Sequence, residues 1–212
     1  MTRTSEFPLI ETARCHIRLA TLEEAPMLAE FHAKNREHLL PWEPFQPESY
    51  YTAAYWQQRI AQDIETFLRG SAVRLVVLHK ETGEIIGCIN YFHVHPSGSR
   101  YCTLGYKVGK AWEGQGYMTE TIGAANRYIF ESLNLYRIQA NYLPRNTRSA
   151  KLLRRLGFAV EGFIPEFLEI NGVREDHILT SLRPNQRPPS CLRKLYDACV
   201  AYPLFTLWRL LK

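Results

Sequence analysis

The sequence has no uninterrupted apolar run of about 18 residues, so nothing in it reads as an ordinary membrane-spanning helix. Residues 1–20 contain no apolar core of the kind a secretory signal needs. Cysteine is sparse: Cys15, Cys88, Cys102, Cys191 and Cys199 are odd in number and form no CxxC pair. That argues against a disulfide framework, a zinc ribbon or a dithiol redox motif. These absences lead to the expectation of a cytoplasmic protein. His93 and His95 alternate near Cys102 but lack a third ligand at standard spacing, so no metal is expected. Two phosphate motifs are also missing. Thr119 stands where a Rossmann fingerprint would place its third glycine, and no Gly-Lys-Ser/Thr occurs. No internal repeat is visible.

What is present reads as one globular domain with an appendage. The 212 residues are 46% hydrophobic and 22% charged, which excludes a disordered or fibrous chain. The formal net charge of +5 suggests an anionic partner. The distribution sharpens that suggestion. Residues 1–183 carry 21 Lys and Arg against 20 Asp and Glu, whereas residues 184–212 carry five against one. The domain is therefore placed at 1–183. Residues 184–212 are read as a proline-rich linker followed by a basic-apolar tail helix.

Periodicity gives the order β-α-α-β-β-β-α-β-α-β-β, an α/β fold with a mixed sheet. Alternation over Arg14–Leu19 predicts the first strand, and Thr21 with Glu24 predicts a capping box for the helix after it. Prolines break the chain at Leu40–Pro44, and a second helix is expected from about Tyr50 to Leu68. Three hairpin-linked strands follow over 73–79, 84–93 and 101–108. A helix is expected over 117–132, a strand over 137–143, a helix over 146–156 and a strand over 158–164. Strands 167–170 and 175–182 then turn about Asn171-Gly172.

The strongest chemical signal is Trp112-Glu113-Gly114-Gln115-Gly116-Tyr117-Met118, which joins a strand to a helix. Glycines here permit unusual backbone angles, and amides at the helix start form a seat for phosphate. Thirty residues on, Asn146-Thr147-Arg148-Ser149 opens a second helix that ends at Leu156-Gly157-Phe158. The pair of segments, in this element order, resembles the GNAT family of acetyl-coenzyme A-dependent N-acetyltransferases across residues 10–183. Leu40-Pro41-Trp42-Glu43-Pro44, Leu104-Gly105-Tyr106, Arg137–Tyr142 and Arg174-Glu175-Asp176-His177 are similar to the branch of ribosomal-protein-alanine N-acetyltransferases, the RimJ type more than the RimL type.

The resemblance implies a mostly antiparallel sheet whose central strands, 101–108 and 137–143, splay apart to admit acetyl-coenzyme A. It assigns the backbone of Tyr106 and Val108 to the pantetheine arm and Glu113, Gly114, Gln115, Gly116, Tyr117 and Met118 to the pyrophosphate loop. Asn141, Asn146 and Ser149 are placed near the thioester. Glu113 replaces the Arg or Gln of many relatives, so its carboxylate is expected to turn away from the phosphates. The tyrosine acid of many relatives falls at Leu153, leaving Ser149 as the candidate acid. Their glutamate base falls at Thr103, and Glu43 is the candidate for contacting the acceptor.

The implied reaction is acetylation of the N-terminal alanine of a ribosomal protein. A GNAT acting on a small amine such as an antibiotic or polyamine, and a non-catalytic ribosome- or RNA-binding GNAT, are the alternatives. The basic run Arg137, Arg145, Arg148, Lys151, Arg154 and Arg155 fits either the cofactor's 3′-phosphate or ribosomal RNA. Trp42 is expected either to pack on the core or to line the acceptor cleft. His177 is expected to pack rather than to meet substrate. For the tail, packing on the domain or in a homodimer and contact with a membrane surface are the two readings.

Overall fold

The structure is a computed structural model that describes residues 7–184. The expected linker and tail lie outside the described residues. In chain order the elements are β1 (Leu9–Glu11), β2 (Cys15–Arg18), α1 (Ala25–Lys34), α2 (Arg36–Leu39), α3 (Ala53–Leu68), β3 (Val73–His79), β4 (Ile85–His95) and β5 (Tyr101–Val108). Then come α4 (Tyr117–Glu131), β6 (Arg137–Tyr142), α5 (Thr147–Arg155), β7 (Ala159–Ile170) and β8 (Val173–Leu182). The eight strands form one sheet in the order β1-β2-β3-β4-β5-β6-β8-β7. All neighbours are antiparallel except β5 and β6, which run parallel.

Period-two alternation divides the sheet between two apolar layers. Leu75 and Val77 on β3, Cys102 and Leu104 on β5, and Ile138 and Ala140 on β6 face α4 and α5, where Ile122, Ile129 and Leu153 meet them. Val76 and Leu78 on β3 and Cys88 on β4 face the other way, against Leu28 and Phe31 of α1 and Trp56 and Ile60 of α3. Burial in these layers pushes the Cys88 and Cys102 thiols up to about 12.

Several local expectations are corrected. β1 and α2 were not anticipated; three and four residues carry too little periodicity to stand out. The Thr21–Glu24 box does close, the Thr21 amide donating to Glu24 Oε2 at 2.8 Å, but it caps a 3₁₀ turn over Leu22–Glu24 that precedes α1. The second helix starts at Ala53, capped by Thr52, because residues 48–51 form another 3₁₀ turn. The strands expected at 158–164 and 167–170 are one long β7 that bends at two register shifts. Glu166 sits at φ +49° in the second, and its amide donates to Asp176 Oδ1 at 2.9 Å. The expected break after Ile164 falls at this second shift, where the strand bulges and continues through Pro165.

One break in the sheet positions everything that follows. β5 pairs with β6 only from Tyr101↔Arg137 to Leu104↔Ala140. Beyond that point β5 stays paired to β4 as far as Val108, and β6 stays paired to β8 as far as Tyr142. The two strands diverge, and residues 105–108 have a strand neighbour on one side only.

Leu153 of α5 is fully buried beneath this opening. Leu153→Ala is expected to lower the unfolding free energy by about 2–5 kcal/mol in urea titration, through lost burial and the cavity left behind. A loss below about 1 kcal/mol would mean that α5 does not anchor the split.

Candidate active site

A cleft of about 580 Å³ runs through the opening between β5 and β6. Its walls come from the end of β5, the loop into α4, the start of α5 and the α2 region. The loop is shaped by its glycines. Gly114 lies at φ +77° and Gly116 at φ +84°, both in the left-handed region that favours glycine. Gly116 is the N-cap of α4, and no side chain caps that helix. The positive end of the helix dipole therefore faces the cleft, which suits an anion. Arg14 fixes the loop from outside. It donates through Nη1 to the Gln115 carbonyl at 3.1 Å and through Nε to Glu120 at 2.8 Å, with its guanidinium 3.9 Å above the Tyr117 ring. Arg148, Lys151 and Arg155 line the same stretch of cleft.

Glu113 departs from expectation. It lines the cleft instead of turning away, and its Oε1 accepts from Arg148 Nη1 at 2.9 Å. The carboxylate is neutralised in place rather than removed. The basic run is likewise divided. Arg137 pairs with Glu161, and Arg145 with Glu175 at 2.6 Å. Lys151 and Arg155 remain beside the helix start.

The start of α5 supplies hydroxyl chemistry. Asn146 caps the helix, its Oδ1 accepting from the Ser149 amide at 3.0 Å, and so aims Ser149 into the cleft. Ser149 Oγ lies 2.7 Å from the Tyr106 hydroxyl of β5. This pair joins the freed end of β5 to the start of α5 across the cleft wall. The sequence reading had assigned only the backbone of Tyr106.

The opposite wall is the Leu40–Pro44 stretch, held down by two distant segments. Arg145 Nη2 donates to the Pro41 carbonyl at 3.2 Å, and Asn171 Nδ2 donates to the Leu40 carbonyl at 2.8 Å. The expected Asn171-Gly172 turn, with φ of +51° and +80°, thus anchors the site as well as reversing the chain. Trp42 lines the cleft, with the Arg145 guanidinium 5.9 Å from its ring. Glu43 also lines it, but as the ion-pair partner of Lys107, and both side chains are largely shielded. Lys107 Nζ lies 3.4 Å from the Tyr50 hydroxyl as well. Neither Lys107 nor His38 was singled out from the sequence. Alternation along β5 was the available signal for Lys107, since odd positions there oppose Cys102 and Leu104.

Of the residues expected at the cofactor, Tyr106, Val108, Glu113, Gly114, Gly116, Tyr117, Met118, Asn146 and Ser149 line this one cleft. Gln115 does not. Its side chain donates to the Ala111 carbonyl at 2.6 Å, so the backbone is its contribution to the loop. Asn141 lies on β6 just past the split, opposite Leu179, and its buried Oδ1 has no hydrogen-bond partner. Asn141 is not among the residues that line this cleft. A single-sided β5 edge, an uncapped helix start and nearby cations fit a ligand with an amide-bearing arm and phosphates. His177 packs away from the cleft against Phe167, its ring pushed toward the neutral form by burial.

Residues 14–159 match the family model of the acetyltransferase (GNAT) domain. The [ribosomal protein uS5]-alanine N-acetyltransferase of Escherichia coli (strain K12) is 40% identical over 173 residues, covering 82% of this chain and 89% of that one. The crystal structure of a ribosomal-protein-S5-alanine acetyltransferase from Vibrio fischeri superposes with a TM-score of 0.81 at 35% identity, over 86% of this chain and all of the other. RimJ of Mycobacterium smegmatis, in complex with a coenzyme A disulfide, shares the fold with a TM-score of 0.79 at 23% identity, over 91% of this chain and 93% of that one.

Gly116 offers a direct test of the loop. An alanine there would relax from the left-handed conformation when the cleft is empty, and binding would have to reimpose it at about 1–2 kcal/mol. Gly116→Ala is expected to weaken coenzyme A binding by about 5- to 30-fold in calorimetry, with an unchanged circular dichroism spectrum. Wild-type affinity would mean that the loop does not seat the phosphates. On the family match and the 40% identity, this chain belongs to the GNAT acetyltransferase family, whose acetyl donor is acetyl-coenzyme A.

Proposed function

We propose that this protein transfers the acetyl group of acetyl-coenzyme A to the N-terminal α-amine of a ribosomal protein that begins with alanine. The observation that carries this reading is the 40% identity over 89% of an enzyme named for that reaction on uS5. The cleft supports it, because donor-side and acceptor-side walls meet at the split between β5 and β6.

Acetyl-coenzyme A supplies an activated acyl carbon: the amine nitrogen bonds to it, the carbon–sulfur bond breaks, the thiolate takes up one proton and the new amide sheds one. The chain's own part is to place the reactants and to manage those protons. Gly114–Met118 and the start of α4 hold the phosphates, and the exposed edge of β5 from Gly105 to Val108 holds the arm. With Tyr106 as the donor in the 2.7 Å hydrogen bond between the two hydroxyls, the Ser149 proton is left for the leaving sulfur. Leu153, buried in the core, cannot take that role. An α-amine has an unperturbed pKa of about 7.7–8.0, so much of it is already neutral near pH 8 and a strong base is not required.

Two observations count against the rival readings. A polycationic acceptor such as a polyamine needs an acidic pocket, and the acceptor side carries Lys107, Arg59 and Arg74 against Glu43 and Asp63. Ribosome contact through residues 137–155 has three arginines fewer to draw on, since Arg137, Arg145 and Arg148 are paired with glutamates.

Mass spectrometry after incubation with acetyl-coenzyme A and an Ala-starting ribosomal peptide tests the assignment. An acetyl group on the α-amine is expected. Transfer only to small amines, or none to any amine, would refute it. Ser149→Ala is expected to lower kcat by about 10²-fold with KM for acetyl-coenzyme A little changed, and Tyr106→Phe by a smaller factor, as read by thiol release. An unchanged kcat in Ser149→Ala would remove it as the acid.

A further inference from the structure

Behind the acceptor side of the sheet lies a second cavity, of about 230 Å³, between α3 and the faces of β3, β4 and β5. Its aromatic wall is ordered. His32 stacks on Trp56 at 4.6 Å and 1°, and the Tyr50 ring meets both edge-on. Burial beside Lys107 pushes His32 down to about 2, so this imidazole is neutral at working pH. The polar floor is different in kind. Arg59 Nε donates to Asp63 Oδ1 at 2.9 Å, and Arg74 Nε approaches the same oxygen at 3.1 Å. Arg74 Nε is buried yet makes no hydrogen bond of acceptable geometry. Two guanidiniums thus share one carboxylate oxygen, and the cluster carries one positive charge in excess. Burial and the neighbouring Arg59 both push Arg74 downward, the direction expected of an under-compensated cation.

The sheet register locates this charge relative to the reaction. Arg74 of β3 pairs with Asn90 of β4, and Asn90 pairs with Gly105 of β5. Gly105 is the first residue beyond the last β5–β6 pair. Strands lie about 4.8 Å apart, so Arg74 stands about 10 Å across the sheet from the split. An extended peptide rises about 3.3 Å per residue and covers that distance in about three residues. Lys107 borders both the cleft and this cavity, standing between Glu43 on one side and the Tyr50 hydroxyl on the other.

We infer that the cavity under α3 is a specificity pocket for the acceptor peptide, in which Arg74 and Arg59 receive a side-chain carboxylate at the third or fourth residue from the acetylated amine. This inference rests on the proposed peptide acceptor. Asp63 holds the two guanidiniums together when the pocket is empty, and the incoming carboxylate supplies the missing charge. The aromatic wall of Tyr50, Tyr55 and Trp56 takes the apolar part of the same segment.

The test uses Ala-starting peptides that differ only in a Glu or a Gln at one position from the second to the fifth. Binding to the coenzyme A-loaded protein is measured by calorimetry, and turnover by thiol release. Glu at the third or fourth position is expected to bind about tenfold more tightly than Gln there. Arg74→Met and Arg59→Met are expected to erase that preference while leaving KM for acetyl-coenzyme A unchanged. Equal binding of Glu and Gln peptides at every position would overturn the inference, as would a preference that survives in Arg74→Met. The comparison on the wild-type protein decides the matter even where Arg74→Met fails to fold. Charge-selective binding without turnover of any peptide would refute the proposed reaction and leave the pocket standing. Turnover without charge selectivity would do the reverse.

Discussion

The parting of β5 from β6 after Leu104 and Ala140 is the constraint on which the site depends. A sheet normally satisfies backbone donors and acceptors on both edges of an interior strand. Here β4 and β8 hold β5 and β6 on their outer sides, so the strands separate without either leaving the sheet. Every wall of the cleft follows from that gap. The α4 start closes one end, the α5 start lies across the opening, and Trp42 and Glu43 of the Leu40–Pro44 stretch form the opposite wall. The Tyr106–Ser149 hydrogen bond spans β5 and α5 and sets two hydroxyls where the ladder has stopped. A continuous β5–β6 ladder would pair these groups with backbone and leave no passage between the faces of the sheet.

Charge is organised around the same gap. The chain's net charge of +5 invites a reading as a nucleic-acid binder, but many of the described arginines are locally paired. Arg14 serves Glu120 and the Gln115 carbonyl, Arg18 serves Glu24, Arg137 serves Glu161 and Arg145 serves Glu175. Arg148 is exposed and its bond to Glu113 adds little stability. Its effect is to cancel the one carboxylate that stands on the anion side of the cleft. Lys151 and Arg155 line the cleft beside the helix start, and Arg74 lines the cavity beneath α3.

The long elements were legible in the sequence because their apolar residues repeat at strand or helix period. β3 and β5 fall on the expected residues, and α4 within one. The Gly114–Gly116 loop and the Asn146 cap were legible for a different reason: few residue types meet those local demands. What could not be read is whatever depends on residues far apart in sequence. Glu113 looks like an error beside a phosphate loop until Arg148, 35 residues away, is seen to neutralise it. Glu43 looks free until β5 brings Lys107 against it. Residues 158–164 and 167–170 look like two strands until Asp176 takes up the amide of the bulge at Glu166. In each case the local rule was sound and a tertiary partner altered its consequence.

On the proposed reaction, alternation along β5 lets one strand serve both the acetyl donor and the acceptor. Its even-numbered side chains, Tyr106 and Val108, lean toward the α4–α5 face and the donor. Its odd-numbered positions, Gly105 and Lys107, belong to the α3 face and the acceptor. Gly105 is the odd position nearest the split, and a Cβ there would come within 3.2 Å of the Phe92 ring. Lys107, two residues on, is long enough to reach Glu43 and Tyr50 from the rim of both cavities. A strand allows this division because its side chains change face at every residue, whereas a helix would spread the same four residues around its axis. The two chemistries therefore need no separate domains. They need one strand with an unpaired edge, held in register by β4, so that a one-residue slip would exchange donor-facing and acceptor-facing residues and destroy both sites together.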